Sequence, residues 1–166
     1  MNLVDEPITR PKAVDSAFQA VLASVVVSAV GSVVNYLLNR PLLTSWVSQT
    51  MEELPPDQRL PVSSMVAAMQ VLLGFSIAIF AGLFVLFAVK MRAGRNWARV
   101  VLTIYTALGA WGFLTSVATS GAELSLIWSL AEALFGVTAV VYMFRPESQK
   151  YFAEVKERRL RTRHRP

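Results

Sequence analysis

The sequence predicts an all-α, integral membrane four-helix bundle with a short outer-surface amphipathic helix and a basic cytoplasmic tail. Three observations carry this. First, the 166 residues are 54% hydrophobic and 16% charged, whereas soluble domains average about 25% charged. Second, Ala17–Leu38, Pro61–Val89, Val100–Ala122 and Leu124–Phe144 are free of charge except for Glu132. Third, lysines and arginines cluster at alternate junctions of these runs. A bilayer core of about 30 Å needs about 20 apolar helical residues, so each run is long enough to span it. A soluble bundle would show a polar stripe recurring about every 3.6 residues, and these runs show none. Spans are expected at about residues 16–38, 63–90, 98–120 and 124–144, making 1–144 a transmembrane domain and 145–166 a tail.

The first span follows Pro11, with Asp15 or Ser16 as its cap. Its apolar run exceeds the roughly 7–15 residues of a signal-peptide core, so it reads as an uncleaved anchor. Beyond it, Leu43, Trp46, Val47, Met51 and Leu54 recur at helical spacing, with Ser48, Gln49, Glu52 and Glu53 opposite them. This pattern suits a short amphipathic helix on the outer surface, with a packed non-helical loop as the alternative. Pro55, Pro56 and Pro61 keep the next stretch out of a helix, and Ser63 or Ser64 is placed to cap the second span. Pro146 disfavours continuation of the fourth span through Arg145. Tyr36, Trp46, Trp97, Trp128 and Tyr142 supply aromatics, several near span ends.

Orientation follows from the basic residues. With both termini on one side, that side holds Arg10, Lys12, Lys90, Arg92, Arg95, Arg99 and the eight basic residues of the tail. The other side holds only Arg40 and Arg59. Basic loops stay inside, so both termini are expected in the cytoplasm of a plasma-membrane protein. The tail carries Arg145, Lys150, Lys156, Arg158, Arg159, Arg161, Arg163 and Arg165 against three glutamates. It accounts for the net charge of +5 and the pI near 10.0. Basic charge placed just inside a membrane points to orientation or anionic-lipid contact, not to nucleic acid. Arg92, Arg95, Trp97, Arg99, Arg158, Arg159, Arg161 and Arg163 are the expected membrane-surface contacts.

Small residues mark where helices approach. Ser24 and Ser28 belong to a stripe from Ala20 to Ser32 on the first span, and Gly74, Ala78 and Gly82 form one on the second. Gly109, Ala110 and Gly112 cluster on the third, and Ala133, Gly136 and Ala139 lie on the fourth. Such stripes let backbones approach, either within one bundle or against a partner's helix.

Glu132 is the candidate intramembrane group. It lies about 12 Å into the fourth span, where an ionised, unpaired carboxylate is costly. It must be neutral and hydrogen-bonded, coupled to a proton or ion, or paired with a partner's cation, since no Lys or Arg within these spans could pair with it. Trp128 shares its helix face. Gln70, Ser76, Thr103, Tyr105, Thr106, Asn35 and the serine stripe are the candidate neighbours on other helices.

Two resemblances accompany this reading. Leu130-Ala131-Glu132 with Gly136 and Thr138 resembles the first helix of small multidrug-resistance transporters, which implies exchange of cationic drugs for protons at the glutamate. The fragment is short, stands in the last span and differs in its spacing to the glycine. Arg10-Pro11-Lys12-Ala13-Val14-Asp15-Ser16-Ala17-Phe18, Gly94-Arg95-Asn96-Trp97-Ala98-Arg99 and Arg145-Pro146-Glu147-Ser148-Gln149-Lys150-Tyr151-Phe152 together resemble small four-span membrane proteins of actinobacteria. That resemblance implies topology without an activity. It places Trp97 and Arg99 as anchors at the inner interface, Arg95 in a lipid-facing turn, and Tyr151 and Phe152 against headgroups.

Enzyme chemistry has little footing in this sequence. With no cysteine and a single histidine, His164, thiol catalysis and Cys or His metal sites are excluded. Glu52, Glu53 and Asp57 flank a proline pair on a solvated loop, and no cofactor is implied. The expected role is a non-enzymatic accessory or scaffold subunit of a cell-envelope or transport assembly, contacting lipid and other membrane proteins or itself. The alternative is a small proton-coupled transporter acting as a homo-oligomer through Glu132.

Overall fold

A computed structural model describes residues 8–120 and 125–163. The described residues form α1 (Lys12–Glu53), a 3-10 turn (Pro56–Gln58), α2 (Val62–Arg92), α3 (Asn96–Ser120), α4 (Ser125–Met143) and α5 (Pro146–Arg163). Four of these helices are long and apolar enough to cross a membrane. Each of α1 to α4 packs beside the next, and α4 closes back on α1. The expected start of the fourth span at 124, the Arg163 side chain, His164 and Arg165 lie outside the described residues.

One end of the bundle, here called proximal, carries the start of α1, the α2–α3 turn and α5; the distal end carries the α1–α2 connection. The buried core lies at the proximal end. Val14, Ala17 and Val21 of α1 meet Ala88 and Met91 of α2, Ala98 and Leu102 of α3, and Ala139 and Met143 of α4. Large side chains elsewhere point outward, among them Val71 (73% exposed), Trp111 (68%) and Leu108 (65%). Such surface suits hydrocarbon, where lipid tails solvate a leucine as well as another leucine does.

The first helix departs from expectation. It runs 42 residues through Pro41, about 63 Å long, so Leu43–Leu54 is not a separate surface helix. Proline removes one backbone donor, but the surrounding turns are reinforced by side chains. Asn39 donates to the Asn35 carbonyl at 2.9 Å and Thr44 to that of Arg40 at 2.9 Å. The end of α1 is closed from the loop. Arg59 donates to the carbonyls of Leu54 (2.8 Å) and Glu52 (2.9 Å), placing a cation at a helix C-terminus.

The expected N-caps are also corrected. The helix starts follow Pro11 and Pro61 without side-chain caps. Proline fixes the entry dihedral and lets each helix begin earlier than the serines suggest. Asp15 instead accepts from Arg10 (2.9 Å) and Arg92 (2.8 Å).

The tail is a docked helix. Pro146 opens α5, and Ser148 and Gln149 donate to the final carbonyls of α4, Tyr142 at 2.7 Å and Phe144 at 3.0 Å. Tyr151 and Phe152, expected against headgroups, lie in the proximal core. Helical spacing puts both on the α5 face that also carries Ser148 and Val155, so burying that face leaves most of the charges outside.

Candidate functional site

Two groups of candidate residues separate along the bundle. At the proximal end, α2 finishes in a Schellman turn: the Gly94 N–H donates to Met91 (2.8 Å) and that of Arg95 to Lys90 (3.1 Å). Gly94 has φ +75°, which favours glycine. A Cβ there would also stand 2.8 Å from a methyl of Val155, so the same glycine admits α5. Tyr151 and Arg159 then donate to the free carbonyls of Arg92 (3.1 Å) and Ala93 (2.8 Å).

The arginines expected at lipid divide accordingly. Arg92 pairs with Asp15 and lies 4.8 Å from the centre of the Phe18 ring. Arg99 is sandwiched against Phe144 (4.4 Å) and Phe152 (5.1 Å), and its Nε has no hydrogen-bond partner among the described residues. These two are thus turned toward protein, Arg92 against the start of α1 and Arg99 between the end of α4 and Phe152 of α5. Arg95 and Trp97 remain exposed, Trp97 lying edge-on to Phe87 at 5.7 Å. Arg161 pairs with Glu157, and Arg158 lies half-buried beside Val155 and Arg159.

The second group surrounds Glu132, about halfway along α4. Its carboxyl shares one cavity wall with the hydroxyls of Ser28 of α1 and Tyr105 of α3. Tyr105 is itself held edge-on by Phe84 of α2, with ring centres 4.2 Å apart. All four helices therefore contribute to this setting. Two close approaches establish it. Gly31 lies so near Trp128 that a Cβ would come within 2.9 Å of the tryptophan Cβ, and one on Gly136 would come within 3.0 Å of Thr106. The first brings α1 against α4 and the second brings α3 against α4.

Three cavities share Glu132 as a wall. One, of about 220 Å³, is lined by Ser24, Ser28, Ser32, Ser76 and Tyr105 among apolar side chains. A second, of about 200 Å³, reaches Ser24, Thr106 and Ser129. The third, of about 170 Å³, lies beside Ser28, Ser32, Asn35, Trp128 and Ser129. The arrangement offers one carboxyl, a phenol and several hydroxyls that donate or accept as an occupant requires.

Most of the expected neighbours are here, but not all. Gln70 is exposed on α2 and lines none of these cavities. Thr103 donates to the Arg99 carbonyl at 2.9 Å instead. The expected contact stripe Gly74–Ala78–Gly82 is exposed, and a Cβ on either glycine would have no neighbour within 4 Å. Gly31 and Ser129 were not anticipated from the sequence. A mid-helix glycine costs about 1 kcal/mol relative to alanine, and that cost was the available signal for a close approach at Gly31. Comparison with known proteins finds no matching family model, curated protein or solved structure.

Proposed function

We propose that the chain is a non-enzymatic integral protein of the plasma membrane, acting as an accessory or scaffold subunit of a cell-envelope or transport assembly. The observation that carries this reading is the bare face of α2. Gly74, Ala78 and Gly82 stand at successive turns, exposed, with open space over both glycines. A stripe of this kind allows another helix to approach backbone to backbone. Gly109 and Gly112 of α3 are equally open.

Cytoplasmic termini are supported by the distribution of charge. Lys90, Arg92, Arg95, Arg99 and α5 gather at the proximal end, while Arg40 and Arg59 belong to the distal half. The exposed Lys150, Lys156 and Arg161 suit contact with anionic headgroups.

A photo-crosslinking residue at Ala78 in native membranes tests the scaffold reading. The expected product is one defined protein adduct, reduced by Gly74→Leu and Gly82→Leu. Adducts with lipid alone would contradict it.

The cavities around Glu132 favour a second reading, a small proton-coupled transporter acting as a homo-oligomer. Cation flux in proteoliposomes of pure protein, lost in Glu132→Gln, would support that reading over the first. The scaffold reading predicts no flux in either protein.

A further inference from the structure

The cavities at Glu132 are closed in one direction and polar in the other. Toward the proximal end the floor of the second cavity is Val21, Leu102 and Ala139, which are 4%, 3% and 1% exposed. Behind that floor lie Val14, Ala17, Met91, Ala98 and Met143, all buried. On α1 the polar lining is Ser24, Ser28, Ser32 and Asn35, a rise of about 16 Å, facing apolar walls that include Ile77 and Phe80 of α2 and Phe113 of α3. Asn35 is exposed. The Gly31–Trp128 approach sets it near the level at which α4 begins, one turn distal of the crossing.

Size and chemistry agree on what such a space admits. At about 30 Å³ of liquid volume per water, 220 Å³ has room for several, with four serine hydroxyls, a phenol and a carboxyl on the walls to bond them. No Lys or Arg lines any of the three cavities. A carboxylate behind low-dielectric walls focuses a negative potential along the approach. Serine and asparagine oxygens replace part of a cation's hydration without adding positive charge.

We propose that this is a hydrated vestibule, open on the membrane side opposite the chain termini and sealed on the other, which admits small cations to Glu132. The proposal rests on the membrane embedding proposed above and on neither functional reading, since a vestibule without alternating access transports nothing.

The natural chain has no cysteine, so single-cysteine variants report one position each. Ser32→Cys and Ser28→Cys probe the vestibule. Ala17→Cys lies behind the floor, Val26→Cys lies on the outer face of α1, and Asp57→Cys marks the distal compartment. In oriented vesicles, trimethylammonium and sulfonate methanethiosulfonates are applied from each side, and their rates are normalised to a free thiol. Ser32→Cys, Ser28→Cys and Asp57→Cys should react from the distal side, whereas Ala17→Cys and Val26→Cys should stay unlabelled. The cationic reagent should be preferred at Ser32→Cys by about tenfold or more, and Glu132→Gln should remove that preference. Ser76→Cys, on the α2 wall, replaces either α1 variant that does not elute as a single species in detergent.

Labelling of Asp57→Cys without labelling of the vestibule variants would overturn the vestibule while leaving the embedding intact. Labelling of the vestibule variants from the proximal side would overturn its one-sidedness. A preference for the cationic reagent that survives Glu132→Gln would overturn the assignment of cation entry to that carboxyl. Failure of Asp57→Cys to react from the distal side would overturn the embedding and the vestibule with it.

Discussion

At the proximal end, five helices converge on Met91, Leu102, Met143 and Phe152, and side chains of α5 close the carbonyl ends of α2 and α4. About 15 Å farther along, four of the same helices surround Glu132 and three cavities instead of a core. Both regions draw on the same four apolar helices, so the hydrophobicity of those helices does not explain the difference. In hydrocarbon, helix association draws on close packing, hydrogen bonds and small residues, because lipid competes equally well for apolar faces. The proximal end has such additional contacts: the Gly94 turn, the Asp15–Arg92 pair and the side chains of α5 that complete helix ends. Around Glu132 the close approaches are the Gly31 crossing on its distal side and the Gly136 crossing on its proximal side, and toward the distal end Val47 and Val66 are buried apart from the main core, which leaves room around the carboxyl.

The largest expected effect comes from loosening the proximal end. Phe152→Ala removes a ring from beneath Arg99 and should cost about 3 kcal/mol. It should be read as a lower unfolding temperature in detergent together with faster trypsin cleavage within α5. An unchanged melting temperature would mean that α5 is not part of the core.

A matched pair of glycines sharpens the contrast. Gly94→Ala meets a positive φ and Val155 and should cost about 1–3 kcal/mol. Gly82→Ala meets open space and should stay within about 0.5 kcal/mol. Equal losses in chemical or thermal unfolding would erase the distinction between the two regions.

Smaller effects follow from the polar groups. Asp15 and Arg92 are more than one-third exposed (37% and 38%), so Asp15→Asn should cost at most about 1 kcal/mol, and less in high salt. At Glu132, Gln keeps the shape and can still bond to neighbouring hydroxyls such as those of Ser28 and Tyr105, so stability should barely move. Leu removes that bonding capacity, at about 0.6 kcal/mol for an average hydrogen bond between membrane helices. A large loss in Glu132→Gln would make the carboxyl a structural keystone.

The four long apolar helices were legible because charge-free runs of sufficient length leave few alternatives. Glu132 stood out for the same reason, and Ser28, Tyr105 and Trp128 were within reach from helical spacing. Which face of each helix turns inward was not legible. Inside such a helix both faces are apolar, so periodicity carries no signal: it leaves open whether the Gly74–Ala78–Gly82 stripe meets its own bundle or a partner, and it offers Gln70 as a neighbour of Glu132 although the structure leaves that side chain exposed. The docking of α5 was hidden by composition. Tyr151 and Phe152 sit among arginines and lysines, and only the small Gly94 turn opposite Val155 explains why they are drawn into the core. The continuity of α1 was masked by Pro41, whose lost donor does not break a helix reinforced by Asn39 and Thr44.

The central claim is that packing tightens from the Glu132 level toward the proximal end along a single helix. Hydrogen exchange of α4 amides in lipid nanodiscs measures this directly, since exchange requires both local opening and access of water. The account predicts clearly faster exchange for residues 128–133 than for residues 138–143. Uniform protection along α4, or slower exchange around Glu132 than around Met143, would contradict it.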